Sequence, residues 1–323
     1  MSESIIVGAG LMGTWHAHAV ASPASVIAVV DPDLGQARAL ASRYGATAHT
    51  TLRPALDASP GAVVHICTPP DQHESSLDLA LTAGHHVVCE KPVTPTYSGT
   101  VRMIELAEAR GAHLTPVLQF GFQPWADKLD QVGPTVTLDH SICSVGGEGL
   151  GDADLAPLAW GILWHGLALV ERVVGKSALS QGEWMAQSTR PGEVRVSGTT
   201  GRVSVSLSVS LMGRPPRNEV VVVGTGGTLR ADLFHGYGAM DPAGSGRAAK
   251  ALRPFRRASG DMIAAATNLG RRTRDNEPAF PGLSRLIAAA HAAARGEGPP
   301  PLSHQNLLDV AVIADRLRSQ AER

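Results

Sequence analysis

Gly8-Ala9-Gly10-Leu11-Met12-Gly13 is a GxGxxG pattern that follows an apolar run directly and opens a helical one. In that setting Gly8 permits a tight turn, Gly10 lets backbone approach a pyrophosphate, and Gly13 lets helix pack on strand. The amides of Leu11 and Met12, at the positive end of the helix, then face the phosphates. Asp31 ends the next apolar run, 18 residues beyond Gly13. A carboxylate there accepts from both ribose hydroxyls of an adenosine and repels a 2′-phosphate, which favours NAD over NADP. Thr68-Pro69-Pro70-Asp71-Gln72-His73 and Cys89-Glu90-Lys91-Pro92 each follow a further apolar run. Both therefore fall at carboxyl ends of strands, where open α/β sheets bind ligands. A lysine at position 91, oriented by Glu90, would donate to a substrate oxygen and stabilise the charge that develops there during hydride transfer. Spacing alone leaves open a plain solvated lysine in a turn.

The elements that must position these residues alternate over the first 118. Apolar runs at 4–7, 26–30, 62–67, 86–89 and 114–118 are separated by helical spacings at 12–21, 34–44, 72–83 and 97–110. Continuous apolar strands with helices between them predict a doubly wound parallel sheet covered on both faces, an α/β Rossmann domain over 1–118. The rhythm then changes. A helix is predicted at 155–174, and strands at 135–144, 178–189, 193–198, 202–211 and 218–223. Tight turns join most of these strands, and Val203–Leu211 alternates strictly with serines. That predicts an α+β second domain over 119–323 with an open, mainly antiparallel sheet, serving substrate binding and oligomerisation. Residues 242–257, rich in Gly, Ala and Arg, read as an irregular connection, with helices near 260–272, 282–295 and 303–318.

The chain has 323 residues, 43% of them apolar and 18% charged, with 28 basic against 29 acidic side chains. This composition builds cores and lacks the basic excess of a nucleic-acid binder. The apolar runs fall short of the roughly 20 residues that cross a bilayer, and the N-terminus shows no basic segment followed by a cleavable apolar one. Three dispersed cysteines (Cys67, Cys89, Cys143) suit a reducing cytoplasm. No histidine shows metal-ligand spacing, so no metal site is expected. Val220–Val223 is apolar on both strand faces. This predicts a homodimer or homotetramer built through the C-terminal sheet.

The series GAGLMGTWHAHAV, VVDPD, ICTPPDQHESSLDLALTAGHHVVCEKPVT and MIELAEARG resembles the Gfo/Idh/MocA oxidoreductases, densely from Ile5 to about Gln123 and more weakly through GTGGTL at 224–229. The resemblance implies NAD(P)-dependent hydride transfer on sugars, cyclitols or related polyols, including nucleotide-linked sugars. It implies a cofactor site of Gly8, Gly10, Leu11, Met12, Gly13, Asp31, Thr68, Pro69, His73, Glu90 and Lys91. The lysine of the EKP motif, here Lys91, lies at the substrate oxygen in such enzymes. His165, with Gly175 ten residues on, matches their acid/base histidine, while Gly161 stands where they carry an aspartate. Gln119 and Gln123 fall in a segment that often bears a substrate-facing arginine, so an uncharged contact is expected there. Gly161 keeps two alternatives open: reduction of an imine or conjugated C=C on the same fold, and a non-catalytic NAD(H)-binding sensor. A basic stretch, Arg247 to Arg274, reads as a solvated face, a subunit contact or a phosphate grip.

Overall fold

The computed structural model describes residues 3–20, 25–244 and 246–322, apart from the side chains of 247–249. Residues 1–2, at the N-terminal segment read above, and Ala21, the expected end of the first helix, lie outside the described residues. The chain divides into two compact units. One comprises Met1–Leu118 with Leu283–Ala311, the other Gln119–Gly282 with Val312–Arg323.

In the first unit, β1 (Glu3–Val7), β2 (Ser25–Val30), β3 (Thr47–His49), β4 (Val63–Ile66), β5 (Val87–Cys89) and β6 (Leu114–Pro116) form one sheet in the order β3-β2-β1-β4-β5-β6. Every pairing is parallel. The doubly wound reading holds, with the strand order reversing at β1 and β4. Their β-branched runs are buried on both faces: all four residues of β4 and the last four of β1 are buried. The helices α1 (Leu11–Val20), α2 (Leu34–Ala41), α3 (Leu52–Ala58), α4 (His73–Thr82) and α5 (Tyr97–Ala109) connect the strands. Local chemistry starts two of them. Asp33 accepts from the amides of Gly35 and Gln36 to cap α2, and Thr96 accepts from Gly99 to cap α5.

One expectation is corrected. The second domain does not hold all of 119–323, because α8 (Leu283–Ala294) packs against α1 in the first unit. Its apolar face (Leu283, Leu286, Ile287, Ala290) is buried there. Helix α9 (His304–Ala321) is divided after Ala311.

The second unit is a seven-stranded sheet, β13-β12-β11-β7-β10-β9-β8. Its strands are β7 (Thr135–Cys143), β8 (Glu183–Arg190), β9 (Glu193–Thr200), β10 (Val203–Ser210), β11 (Arg217–Gly224), β12 (Gly227–Asp232) and β13 (Tyr237–Pro242). Five pairings are antiparallel, and β10 runs parallel to β7. The strand expected from residue 178 starts at Glu183, after turns. In β10 the valines and Leu207 point inward while Ser204 and Ser206 are exposed, as the alternation requires. Helix α6 (Asp152–Val174) lies against β7, β9 and β10. Among the described residues α6 is long and apolar enough to cross a bilayer, contrary to the reading of apolar runs, but 61% of its apolar window is buried. The outer face of the sheet, which Val220–Val223 led us to expect a second copy to cover, is open within this chain. Val221 and Val223 are half-exposed, and Arg195, Ser197, Thr199, Ser204 and Ser206 share the polar outward faces. The connection expected to be irregular at 242–257 instead enters α7 (Arg247–Arg274). Its Ala, Leu and Arg residues favour helix strongly enough to carry Pro254 and Gly260.

Candidate active site

The first unit gathers four turns at the carboxyl end of its sheet. Gly8 has φ +95°, and a Cβ there would lie 2.8 Å from the Cys67 carbonyl oxygen. A Cβ on Gly13 would run into the carbonyl oxygen of Gly8. At Gly10 a Cβ would meet nothing within 4 Å, so backbone there faces open space. Two glycines are thus demanded by packing and one by access, which is the division of labour a dinucleotide turn needs. Helix α1 opens at Leu11, whose side chain is exposed, with Met12 half-exposed behind it. First-turn amides have no intrahelical acceptor and remain available to an anion. Asp31 accepts from the Ala9 amide through Oδ2 at 2.8 Å and from the Asp33 amide through Oδ1 at 2.9 Å. The carboxylate is thereby fixed against the glycine turn, and each oxygen keeps a lone pair for a hydroxyl. These residues fit a bound dinucleotide.

The Thr68 and Lys91 turns are tied together by His73. Its Nδ1 lies 2.8 Å from the Pro92 carbonyl oxygen and its Nε2 2.8 Å from that of Thr68. Assigned from sequence to the cofactor, His73 is fully buried with both ring nitrogens against backbone carbonyls, so it ties together the two turns that would border the cofactor. Thr68 is half-buried with an unpartnered Oγ1, and Pro69 is exposed.

Lys91 is half-buried after β5. Burial lowers the proton affinity of its ammonium below the ordinary lysine value, against the opposing pull of the Glu90 carboxylate. Burial pushes the Glu90 carboxyl up, yet the hydrogen bond and charge of His16, then the charge and amide of Lys91, outweigh it and hold Glu90 below the usual carboxylate range. Glu90 Oε2 accepts from the Lys91 amide at 3.2 Å, and His16 Nε2 lies 3.4 Å from Oε1. Behind this pair runs a row of fully buried imidazoles. His16 Nδ1 is 3.1 Å from His65 Nδ1, and His65 Nε2 is 3.0 Å from His291 Nε2 on α8. Burial, then the neighbouring rings, holds His65 well below its ordinary value; burial, then Arg295, lowers His291 to about 4. The Cys67 and Cys89 thiols are pushed well up by burial and then by Glu90, which leaves them poor nucleophiles. Sequence reading missed the row. His16 sits inside the glycine-turn motif, three residues past Gly13, where it could have been noticed. His291 is 226 residues from His65, and only the fold brings them together.

In the second unit His165 lies in the middle of α6, buried, its ring 4.3 Å from that of Phe120. Gly161, one turn earlier on α6, is buried and supplies no carboxylate. The two glutamines part ways. Gln123 donates its amide to the carbonyls of Leu233 and Pro281, at 2.9 and 3.1 Å, and pins the backbone of its unit. Its two amide protons are thereby spent on backbone, while its Oε1 has no partner. Gln119 is buried with an unpartnered Oε1. No group of three or more His, Cys, Asp or Glu among the described residues is arranged to hold a metal ion. The phosphate reading of the basic stretch also weakens. Arg253 pairs with Asp241, Arg257 with Asp261, Arg271 with Asp275 and Glu277, and Arg274 with Asp275.

Comparison with known proteins agrees with this geometry. Residues 3–117 match the family described as Gfo/Idh/MocA, "Oxidoreductase family, NAD-binding Rossmann fold". The chain is 42% identical over 118 residues to inositol 2-dehydrogenase of Leifsonia xyli subsp. xyli, covering 36% of this chain and 34% of that protein. It is 33% identical over 117 residues to inositol 2-dehydrogenase/D-chiro-inositol 3-dehydrogenase of Shouchella clausii, covering 35% and 34%. The match thus spans about a third of the length of these relatives. In fold the likeness extends over the whole chain. UDP-N-acetylglucosamine 3-dehydrogenase GnnA from Acidithiobacillus ferrooxidans superposes with TM-score 0.77 at 16% identity, over 99% of this chain and 97% of that one. The WlbA dehydrogenase from Bordetella pertussis, in complex with NADH and UDP-GlcNAcA, superposes with TM-score 0.77 at 17% identity, over 99% and 95%. Over residues 3–117 this chain is thus similar to the Gfo/Idh/MocA oxidoreductase family.

Proposed function

We propose that this chain is an NAD-dependent oxidoreductase. It would move hydride between the nicotinamide and a carbinol or ketone carbon of a sugar-like, cyclitol or nucleotide-linked sugar substrate. The observation that carries the reading is the link from α1 through His16 and Glu90 to Lys91, which sets a partly desolvated lysine at the carboxyl end of β5. The Gly8–Gly13 turn with the Leu11 and Met12 amides would hold the pyrophosphate, and Asp31 the ribose hydroxyls, which favours NAD over NADP. Thr68 and Pro69 would border the cofactor. Bound NAD would supply the two-electron acceptor. The Lys91 Nζ would donate to the substrate oxygen and stabilise the negative charge that builds on it, with Glu90 holding the backbone at Lys91. His165 would exchange the hydroxyl proton, a role suited to imidazole near neutral pH. Gln119 Oε1, unpartnered in its unit, would accept from a substrate hydroxyl.

The substrate class rests on the relatives, which are named for inositol and for UDP-N-acetylglucosamine. Both are hydroxyl-rich rings. The protein would work as a homo-oligomer in a reducing cytoplasm, consistent with its three free thiols. A second reading, imine reduction, is favoured by one feature: Gly161 leaves the turn before His165 without a carboxylate.

The test is oxidation of bound NADH by ketosugars, nucleotide-linked ketosugars, inososes and cyclic imines, with Lys91→Met alongside. Turnover of one carbonyl class, reduced about 1,000-fold or more in Lys91→Met while NADH affinity holds, is expected. Turnover of the imine alone, surviving His165→Ala, would replace the carbonyl by C=N. Tight NADH binding without oxidation by any of them would leave a cofactor sensor.

A further inference from the structure

Helix α7 turns its apolar side away from its own unit. The side it turns inward is polar or small. There Arg253 Nε reaches Asp241 at 2.7 Å, and Asn268 Nδ2 donates to the His235 carbonyl at 2.9 Å. Arg271 meets Asn268 and Glu277 on the same side. These bonds fix the helix about its axis and leave the other half in water. Leu252, Phe255, Met262, Ile263 and Leu269 are each more than half exposed, Phe255 at 75%. With Ser259 and Ala266 between them, they fall within an arc of about 120° at 3.6 residues per turn. The five large side chains present on the order of 600 Å² of apolar surface, at the upper end of what a monomer leaves bare. Phe234, 60% exposed, stands on the turn that Asn268 and Arg272 hold against the helix.

Positive charge accompanies this face. The segment 247–274 carries eight basic residues against one acidic, Asp261. Asp241, Asp275 and Glu277, which pair with it from outside, still leave four positive charges in excess. The whole chain has a net charge of −1, so this excess is local to α7. Arg256 and Arg274 stand exposed at one edge of the apolar arc, about five turns apart. No acid among the described residues holds Lys250 or Arg256, and both line an open cleft of about 430 Å³ with Thr228 and the Arg253–Asp241 pair. That cleft has room for a headgroup phosphate.

We infer that α7 lies flat on a bilayer of anionic phospholipid, as an anchor in the plane of the surface. Over its length of roughly 42 Å the apolar arc enters the boundary of the acyl chains, while the arginine edge reaches headgroup phosphates. The charged face precludes a crossing, so the helix rests on the membrane without spanning it. Each competing partner satisfies only half of this surface. A nucleic acid would take the cations and leave the apolar side chains in water. A second copy would bury the apolar arc and set one excess of positive charge against another. An anionic bilayer takes both. Each methylene that enters the acyl boundary is worth about 4-fold in partition, and each Lys or Arg near the surface about 5-fold.

The test is co-sedimentation of the full chain with vesicles of phosphatidylcholine alone and of phosphatidylglycerol mixed with phosphatidylcholine. Binding to the anionic vesicles is expected, weakened by salt and far weaker on phosphatidylcholine alone. Phe255→Glu/Met262→Glu should lower it about 100-fold or more, and Lys250→Gln/Arg256→Gln about 25-fold. Circular dichroism should stay unchanged in both, because all four side chains are exposed. No binding by the wild type would overturn the inference. So would equal binding by Phe255→Glu/Met262→Glu, since charge elsewhere on the chain would then account for it. Should that variant lose helix, Lys250→Gln/Arg256→Gln decides, and binding it leaves unchanged would equally overturn the inference. A wild type that ignores vesicles, with an apolar variant of lower mass in sedimentation, would assign the face to a second copy instead.

Discussion

Acidification from pH 7 to 5 should destabilise this protein through histidines held neutral inside it. His291, in the buried row behind Glu90, and His140, under α6 in the second unit, are each lowered to about 4 by burial. His140 Nε2 lies 2.9 Å from the Asn218 side-chain oxygen, a bond that opposes burial without overcoming it. In the unfolded chain both rings take up a proton at their ordinary 6.5. Between that value and about 4 the unfolded state binds more protons than the folded one, so stability falls as pH falls. At about 1.4 kcal/mol per pH unit, the interval from 6.5 to 5 costs about 2 kcal/mol for each histidine. His65, also lowered well below 6.5, adds in the same direction. Glu90, held below the usual carboxylate range, contributes stability that is lost only below about pH 4.3, outside this window. Urea unfolding at pH 7, 6 and 5 measures the loss, and a variant without one ring isolates its share. His291→Leu should lose about 2 kcal/mol less than wild type between pH 7 and 5, whatever its stability at pH 7. An equal pH dependence in wild type, His291→Leu and His140→Gln would refute the claim that these rings fold neutral.

Gly13→Ala places a Cβ against the Gly8 carbonyl oxygen and must move backbone, so NADH affinity should fall about 100-fold or more by fluorescence titration. Asp31→Ala frees the Ala9 amide and removes the charge facing a 2′-phosphate; the ratio of NADH to NADPH affinity should fall by about 10-fold or more. His165→Ala should lower kcat by about 100- to 10,000-fold with NADH binding unchanged in a fluorescence titration. His16→Ala removes the neighbour of Glu90 Oε1; the carboxyl should then titrate higher, shifting the pH profile of turnover more than KM.

Wherever the chemistry sits within a few neighbouring residues, the chain announces it. The glycine turn, Asp31 and the Glu90-Lys91 turn were legible because backbone geometry demands glycine at fixed offsets and because buried parallel strands read as unbroken apolar runs. The same logic gave the serine alternation of β10. It failed for α7, where Pro254 and several glycines outweighed, in a local reading, residues that favour helix together. Roles that depend on partners far along the chain were set by packing alone. His73 and Gln123 have the chemistry of ligand contacts, and only folding shows both ring nitrogens of His73 and the amide protons of Gln123 spent on backbone. The imidazole row joins α1, β4 and α8, with His65 and His291 226 positions apart, and burial that no local pattern encodes lowers the proton affinity of both. The outward stripe of α7 has the spacing of a core helix. Spacing tells that a helix has an apolar face, and tertiary structure alone decides whether that face looks into its own core or away from it.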